Sequence, residues 1–404
     1  MWQALFRLPA TVWLLGLVSL CNDTASELIY PLVPLYLASV LMATPRALGI
    51  IEGIAEATGS LLKLVSGSLT DRTGTAKPWL LTGYGLAAIG RPLIALATSW
   101  PLVAVLRFAD RLGKGLRSAP RDAMLARAAP PERRGLAFGL HRAMDNAGAV
   151  IGPLLAAWLL AAHVPLQRVF IWALLPGVLT IALTLAIREP VTTPTDSPPA
   201  IDWTLRGMPG PFKRYLATLA LFTIGNASNM FLLLRAHDLG LSTAEVPLAW
   251  ALVSLVAMAF STPLSALTDR IGRIRMIIAG WTIYGLFYLL LGFDSDSPQL
   301  LWPLFAGYGL YLAATEGAEK SLVADLAPAG QLGTAYGWFN LISGLLLLPA
   351  SILFGGLWQS VGPGIACGFS ATCALGAALL LATWVGHSRN APRPAGDHSQ
   401  RALN

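Results

Sequence analysis

The chain has 404 residues, of which 55% are hydrophobic and only 12% charged, and its mean hydropathy is +0.61; a soluble domain carries about 25% charged residues. That balance excludes a water-soluble globular domain and reads as an integral membrane protein. The net charge of +7 is absorbed by a loop asymmetry described below, so it gives no reason to invoke nucleic acid.

Apolar runs of about 20 residues cross a bilayer as helix, and twelve are predicted in chain order: 12–40, 47–69, 78–99, 101–126, 135–162, 166–187, 213–235, 244–267, 275–293, 299–325, 332–359 and 363–386. No small-residue cleavage pattern follows the first run, which holds Asn22, Asp23 and Glu27, so it is read as a retained helix and not a removed signal. Cys21, Cys367 and Cys373 lie inside spans without disulfide or metal-site spacing and read as apolar filler; no metal and no bound cofactor are expected. "REPVTTPTDSPPAIDWTLRGMPGP", polar and holding six prolines, reads as a linker. The expected organisation is a six-helix bundle over 1–187, a cytoplasmic linker over 188–212, a second six-helix bundle over 213–388 and a cytoplasmic tail over 389–404. On one side the loops and tails carry seventeen Lys and Arg, against Arg46, Arg168 and Arg235 on the other. The positive-inside rule then puts both termini in the cytoplasm.

Charges inside the spans follow helical spacing. Asp23 and Glu27 share a face of the first span, Glu52 and Glu56 share one of the second with Lys63 two turns on, and His141 and Asp145 share one of the fifth. The fourth span carries "RFADRLGKGLRSAPRDA". At about 100° per residue, Arg107, Asp110, Arg111, Lys114, Arg117 and Arg121 fall within roughly 120° of arc. Each such charge costs about 3 kcal/mol when it faces lipid at a helix centre, so this face must line an interior cavity. Arg107, Arg111, Lys114 and Glu52 are candidates for substrate contact, and Asp23, Glu27, Glu56, Asp145 and His141 for proton coupling. Structural glue between helices is the alternative for these ions. The second half is sparser: Asn226, Asn229, Glu319 and Asn340 are cavity candidates, whereas Glu316 and Lys320 are spaced to satisfy each other.

Shifting the chain on itself by 198 residues pairs "SLTDRTG" (68–74) with "ALTDRIG" (266–272), and also pairs Ala126, Pro130, Gly135 and Gly139 with Ala324, Pro328, Gly333 and Gly337. Two parallel six-helix repeats with a site between them describe an alternating-access transporter. The loop copy at Gly67, Leu69, Asp71, Arg72 and Gly74 resembles the GxLxDRxG signature of the major facilitator superfamily, with Thr75 where a basic residue is usual. The second copy keeps Leu267, Asp269, Arg270, Gly272 and Arg273 but has Ser265 for the first glycine. The fourth span is similar to the RxxQG motif of proton-coupled exporters at Arg111 and Gly115, with Lys114 replacing Gln. "GAVIGP" is similar to the antiporter motif at Gly148, Gly152 and Pro153, although Ala156 and Ala157 replace its final glycines.

The resemblance implies an all-α membrane fold of twelve helices in two pseudo-symmetric bundles. It implies gating by Asp71, Arg72, Asp269 and Arg270, and proton coupling through an acid of the first helix, Asp23 or Glu27; Arg117 and Arg121, toward the cytoplasmic end of the fourth span, are read from their position as candidates for gating contacts or for substrate contact. The expected activity is proton-gradient-driven efflux of a small organic compound, anionic or amphipathic, across a bacterial inner membrane by a monomer, with protons, substrate and bilayer lipid as its only partners. Uptake of a metabolite or metal chelate by the same fold is the alternative, followed by a non-transporting scaffold or lipid flippase. No enzyme constellation is present in the sequence.

Overall fold

A computed structural model describes residues 8–73, 75–129, 134–189, 205, 207–293, 297–328 and 332–385. Most of the predicted linker and the whole predicted tail lie outside these residues. Among the described residues, twelve helices cross the molecule. In the first half they are α1 (Ala10–Ser39), α2 (Pro45–Thr73), α3 (Lys77–Leu96), α4 (Trp100–Ala128), α5 (Arg134–Ala161) and α6 (Leu166–Ala186). In the second half they are α7 (Gly210–Asp238), α8 (Glu245–Ile271), α9 (Arg273–Gly292), α10 (Leu301–Leu326), α11 (Leu332–Leu345 continued by Leu347–Val361) and α12 (Pro363–Val385).

Each predicted span coincides with one of these helices. Among the described residues, nine helices contain a window long and apolar enough to cross a membrane by hydropathy alone. The exceptions, α2, α4 and α10, are 29, 29 and 26 residues long. They miss that standard because they carry ionisable residues, which lower hydropathy wherever they point. The largest boundary differences are at α2 and α8, which run on through Thr73 and Ile271. Asp71, Arg72, Asp269 and Arg270 therefore sit in last helical turns and not in loops: at a water interface a helix no longer needs apolar residues, so hydropathy stops short of it. Past Ile271 the chain turns at Gly272, whose φ of +95° is a conformation that side-chain-bearing residues rarely adopt.

Helix interruptions have local causes. Pro31 and Pro34 remove two backbone donors from α1, and its helix tightens to a 3-10 turn over Tyr30–Leu32. Pro176 and Pro349 likewise follow the breaks inside α6 and α11. No proline explains the break in α7, where helix stops at Gly225 and resumes at Met230; the gap begins and ends with an asparagine, Asn226 and Asn229.

Packing repeats across the halves. α1 lies on α5, α2 on α4, and α3 on α4 and α6, while α8 lies on α10 and α9 on α10 and α12; between the halves, α2 meets α11 and α5 meets α8. α2 and α8 end 198 residues apart, as do α4 and α10, which is the offset of the sequence repeat. The halves differ in what fills them. The second holds a buried aromatic cluster in which Phe222 stacks on Trp281 at 4.6 Å and Tyr284 and Tyr288 lie at 4.6 Å. In the first half, the largest fully buried side chain is that of Arg107.

Candidate functional site

The face of the molecule where α1 begins is called proximal here, and the opposite face distal. At the distal side the halves are pressed together. A Cβ on Gly49 of α2 would lie 2.2 Å from the Ser351 carbonyl oxygen of α11, and one on Gly355 would lie 2.5 Å from that of Pro45. From mid-helix toward the proximal face a cavity of about 520 Å³ opens between α1, α2, α4, α5 and α10. Its wall carries seven cationic and five acidic side chains.

α4 supplies most of the cations, as the 120° arc requires: Arg111, Lys114, Arg117 and Arg121 all line this cavity. Arg111 is held by Glu56 at 2.8 Å. Arg117 turns back toward α3, where it donates to the Gly83 carbonyl at 3.1 Å and lies over the Tyr84 ring at 4.9 Å. Arg121 pairs with Asp122 at 3.0 Å and reaches Ser19 of α1 at 3.4 Å. The Lys114 ammonium makes no ion pair within 4.0 Å among the described residues.

The acids come from α1 and α5. Asp23 lines the cavity and accepts a hydrogen bond from Asn22 at 2.8 Å, with no cation within ion-pair distance among the described residues. Glu27, one turn on, also lines the cavity and accepts from the indole N–H of Trp250 in α8 at 2.8 Å, so it touches the other half of the molecule. Asp145 accepts from the Ser19 hydroxyl and lies 3.6 Å from the buried His141 ring. α1 and α5 can share this wall because Gly148 and Gly152 let their backbones meet. A Cβ at these positions would stand 2.6 Å from the Leu20 carbonyl and 2.7 Å from the Leu28 amide. Pro153 follows inside the same helix.

Arg107 and Glu52, expected at the substrate, are placed beyond the cavity on its distal side. Arg107 donates to one oxygen of Glu52 through Nε at 2.9 Å and Nη2 at 2.7 Å, and neither side chain exceeds 1% exposure. Asp110 lies beside them, 3.7 Å from Arg107 and 3.0 Å from Arg91 of α3. The network crosses to the second half through Ser228, at the α7 break, whose hydroxyl is 3.5 Å from Glu52. A smaller cavity of about 220 Å³ at that break is lined by Asn226, Asn229, Glu56 and three tyrosines. Tyr284 donates to the Asn226 side-chain oxygen at 3.2 Å and Tyr308 to that of Asn229 at 2.5 Å.

Glu319 is placed apart from both cavities, accepting from Trp281 at 2.9 Å. Asn340 is exposed and donates to the Tyr336 carbonyl. Glu316 and Lys320 do pair, at 3.2 Å, but Glu316 also takes Arg142 of α5 at 2.5 Å and so joins the halves at the cavity wall. Arg270 is exposed, and the side chains of Asp71, Arg72 and Asp269 lie outside the described residues. Arg91, Arg142, Ser228 and Trp250 were not among the sequence candidates. A lone arginine in an apolar span was a usable signal for Arg91; nothing in the sequence marks Trp250 among thirteen tryptophans.

Two pseudo-symmetric helical halves closing on a charged cavity have the architecture of a membrane transporter. The chain belongs to the Major Facilitator Superfamily, whose sequence profile matches residues 15–234 and 214–402. It is 31% identical to an uncharacterized MFS-type transporter of Methanocaldococcus jannaschii over 87% of this chain and 89% of that one. It is 27% identical to the multidrug resistance protein MdtH of Salmonella newport over 82% and 81%. Among solved structures, that of a POT family transporter in complex with 5-aminolevulinic acid superposes with a TM-score of 0.80 at 13% identity, covering 94% of this chain and 96% of the other; that likeness concerns the fold.

Proposed function

We propose that this transporter expels a small amphipathic or anionic organic compound in exchange for protons across a prokaryotic inner membrane, with its proximal face and both termini in the cytoplasm. The observation that carries the reading is the placement of Asp23, Glu27 and Lys114 on one cavity wall without ion pairs of their own. A carboxyl that is protonated in one state and paired with a cation in another carries a proton through the cycle, and rocking of the halves is what changes its neighbours. The contact of Glu27 with Trp250 makes its surroundings depend on how the halves are disposed. The excess of cations on the wall favours an occupant with an anionic group.

Sequence likeness to a multidrug resistance protein supports export. In this reading Asp71, Arg72, Asp269 and Arg270 tune the rocking equilibrium, the α5 glycines and Pro153 guard against proton leak, and no cofactor beyond the proton gradient takes part.

The test is transport of a panel of radiolabelled amphiphilic anions, zwitterions and cations into proteoliposomes of fixed orientation, with the pH gradient imposed in either sense. Movement of an amphiphile against the inward proton gradient supports export. Movement only with that gradient would make the protein an importer and overturn the reading.

A further inference from the structure

We infer that the transporter has a second substrate subsite, an apolar one, between α5, α8 and α10, and that it takes the hydrocarbon or aromatic portion of an amphiphile whose polar group sits in the charged cavity. The inference deepens the transport reading and rests on it. The cavity in question is the larger of the two, about 580 Å³, and its wall includes Trp250, Val253, Ala257, Met258, Leu312 and Ala313. A hydrocarbon chain placed against such a wall is removed from water.

Continuity identifies the occupant. The apolar and charged cavities share Arg142, Ala149, Glu316 and Lys320 as lining, so the ion group joining α5 to α10 is a divider between them and not an outer rim. That group is half-exposed, with Arg142 and Glu316 at 56% and 46%, and such pairs are held weakly enough to part for a ligand. Trp250 forms a second boundary. Its ring lines the apolar cavity while its N–H is spent on Glu27 in the charged one. A molecule with one polar and one apolar end meets matching chemistry on each side of this divider. A purely ionic solute would leave the larger space unfilled, and a purely apolar one would strand the charges.

α5 and α8 belong to different halves, so the wall of this subsite is remade when the halves rock. Its apolar grip therefore changes with the state of the transporter, which a substrate site requires and a static lipid groove does not.

The test uses a palmitic acid carrying a photoactivatable diazirine at mid-chain, irradiated with the full-length protein in proteoliposomes, and maps adducts by mass spectrometry. Adducts on Trp250, Met258 and Leu312 are expected, reduced at least fivefold in Ala257→Trp and, independently, in Ser254→Trp, each verified as folded by gel filtration. Adducts confined to exposed apolar residues away from the cavity, such as Leu175 and Leu286, would mean bilayer lipid only and overturn the subsite. So would cavity adducts that neither filling variant diminishes. Proton flux recorded on the same vesicles separates the two claims. Flux without cavity adducts removes the subsite and leaves the transport reading, whereas cavity adducts without flux do the reverse.

Discussion

Arg107 of α4 places two donors on a single oxygen of Glu52 of α2, at 2.9 and 2.7 Å, in a region from which water is excluded. Two ions taken from water into such a region repay their desolvation only while both are present. The pair, with Asp110 and Arg91 beside it, closes the distal end of the cavity and fixes α2, α3 and α4 to one another.

Removing one member should therefore damage the fold. Arg107→Ala is expected to cost about 3–5 kcal/mol by stranding Glu52, read as a lower unfolding temperature and a smaller folded yield in detergent. Replacing both partners, Arg107→Met with Glu52→Met, should recover much of that loss. A double variant no better than the single one would contradict a paired origin.

Glycines on α5 make a sharper contrast. Gly152→Ala pushes a methyl to 2.7 Å from α1 backbone atoms that cannot retreat, and overpacking of this kind costs about 1–3 kcal/mol. Gly139→Ala, on the same helix, meets nothing within 4 Å and should be neutral. Thermal unfolding of the two variants side by side checks the difference; equal effects would mean that α1 and α5 are not held in this approach.

Neighbouring cations on α4 are expected to behave differently. Arg111→Ala deprives Glu56 of its partner at 2.8 Å and should destabilise the protein. Lys114→Ala removes an ammonium with no such partner, leaving the unfolding temperature nearly unchanged while abolishing the thermal stabilisation given by added organic anions. If anion stabilisation survives Lys114→Ala, this side chain does not face the bound anion.

Between the two cavities, Arg142→Glu should open the divider and raise maleimide labelling of Asn146→Cys severalfold. The swap Arg142→Glu with Glu316→Arg should return labelling toward its starting level. Because the pair is half-exposed, its effect on stability should stay below about 1 kcal/mol. Unaltered labelling in Arg142→Glu would remove the divider role.

Much of this architecture was legible in the sequence because bilayer crossing leaves a one-dimensional signature. Twelve apolar runs gave twelve helices, and the arc of charge on α4 identified the cavity face through the cost of turning it to lipid. Partner choice was not legible. Whether Arg107 reaches a substrate or Glu52 depends on where α2 lies, and the sequence placed both residues in the cavity when they form a sealed pair beside it. Glu319 and Asn340 likewise have the right chemistry on the right helices but are spent on Trp281 and on the Tyr336 carbonyl. Trp250 matters through one N–H directed at Glu27 across 223 positions of chain, a contact that neither periodicity nor composition records.

Proton coupling through Asp23 and Glu27 can be read from internal pH in proteoliposomes while a transported amphiphile is added. A substrate-dependent pH change is expected that falls at least tenfold in the double variant Asp23→Asn with Glu27→Gln, while the protein remains folded. An unchanged pH response with both carboxyls replaced would contradict that coupling.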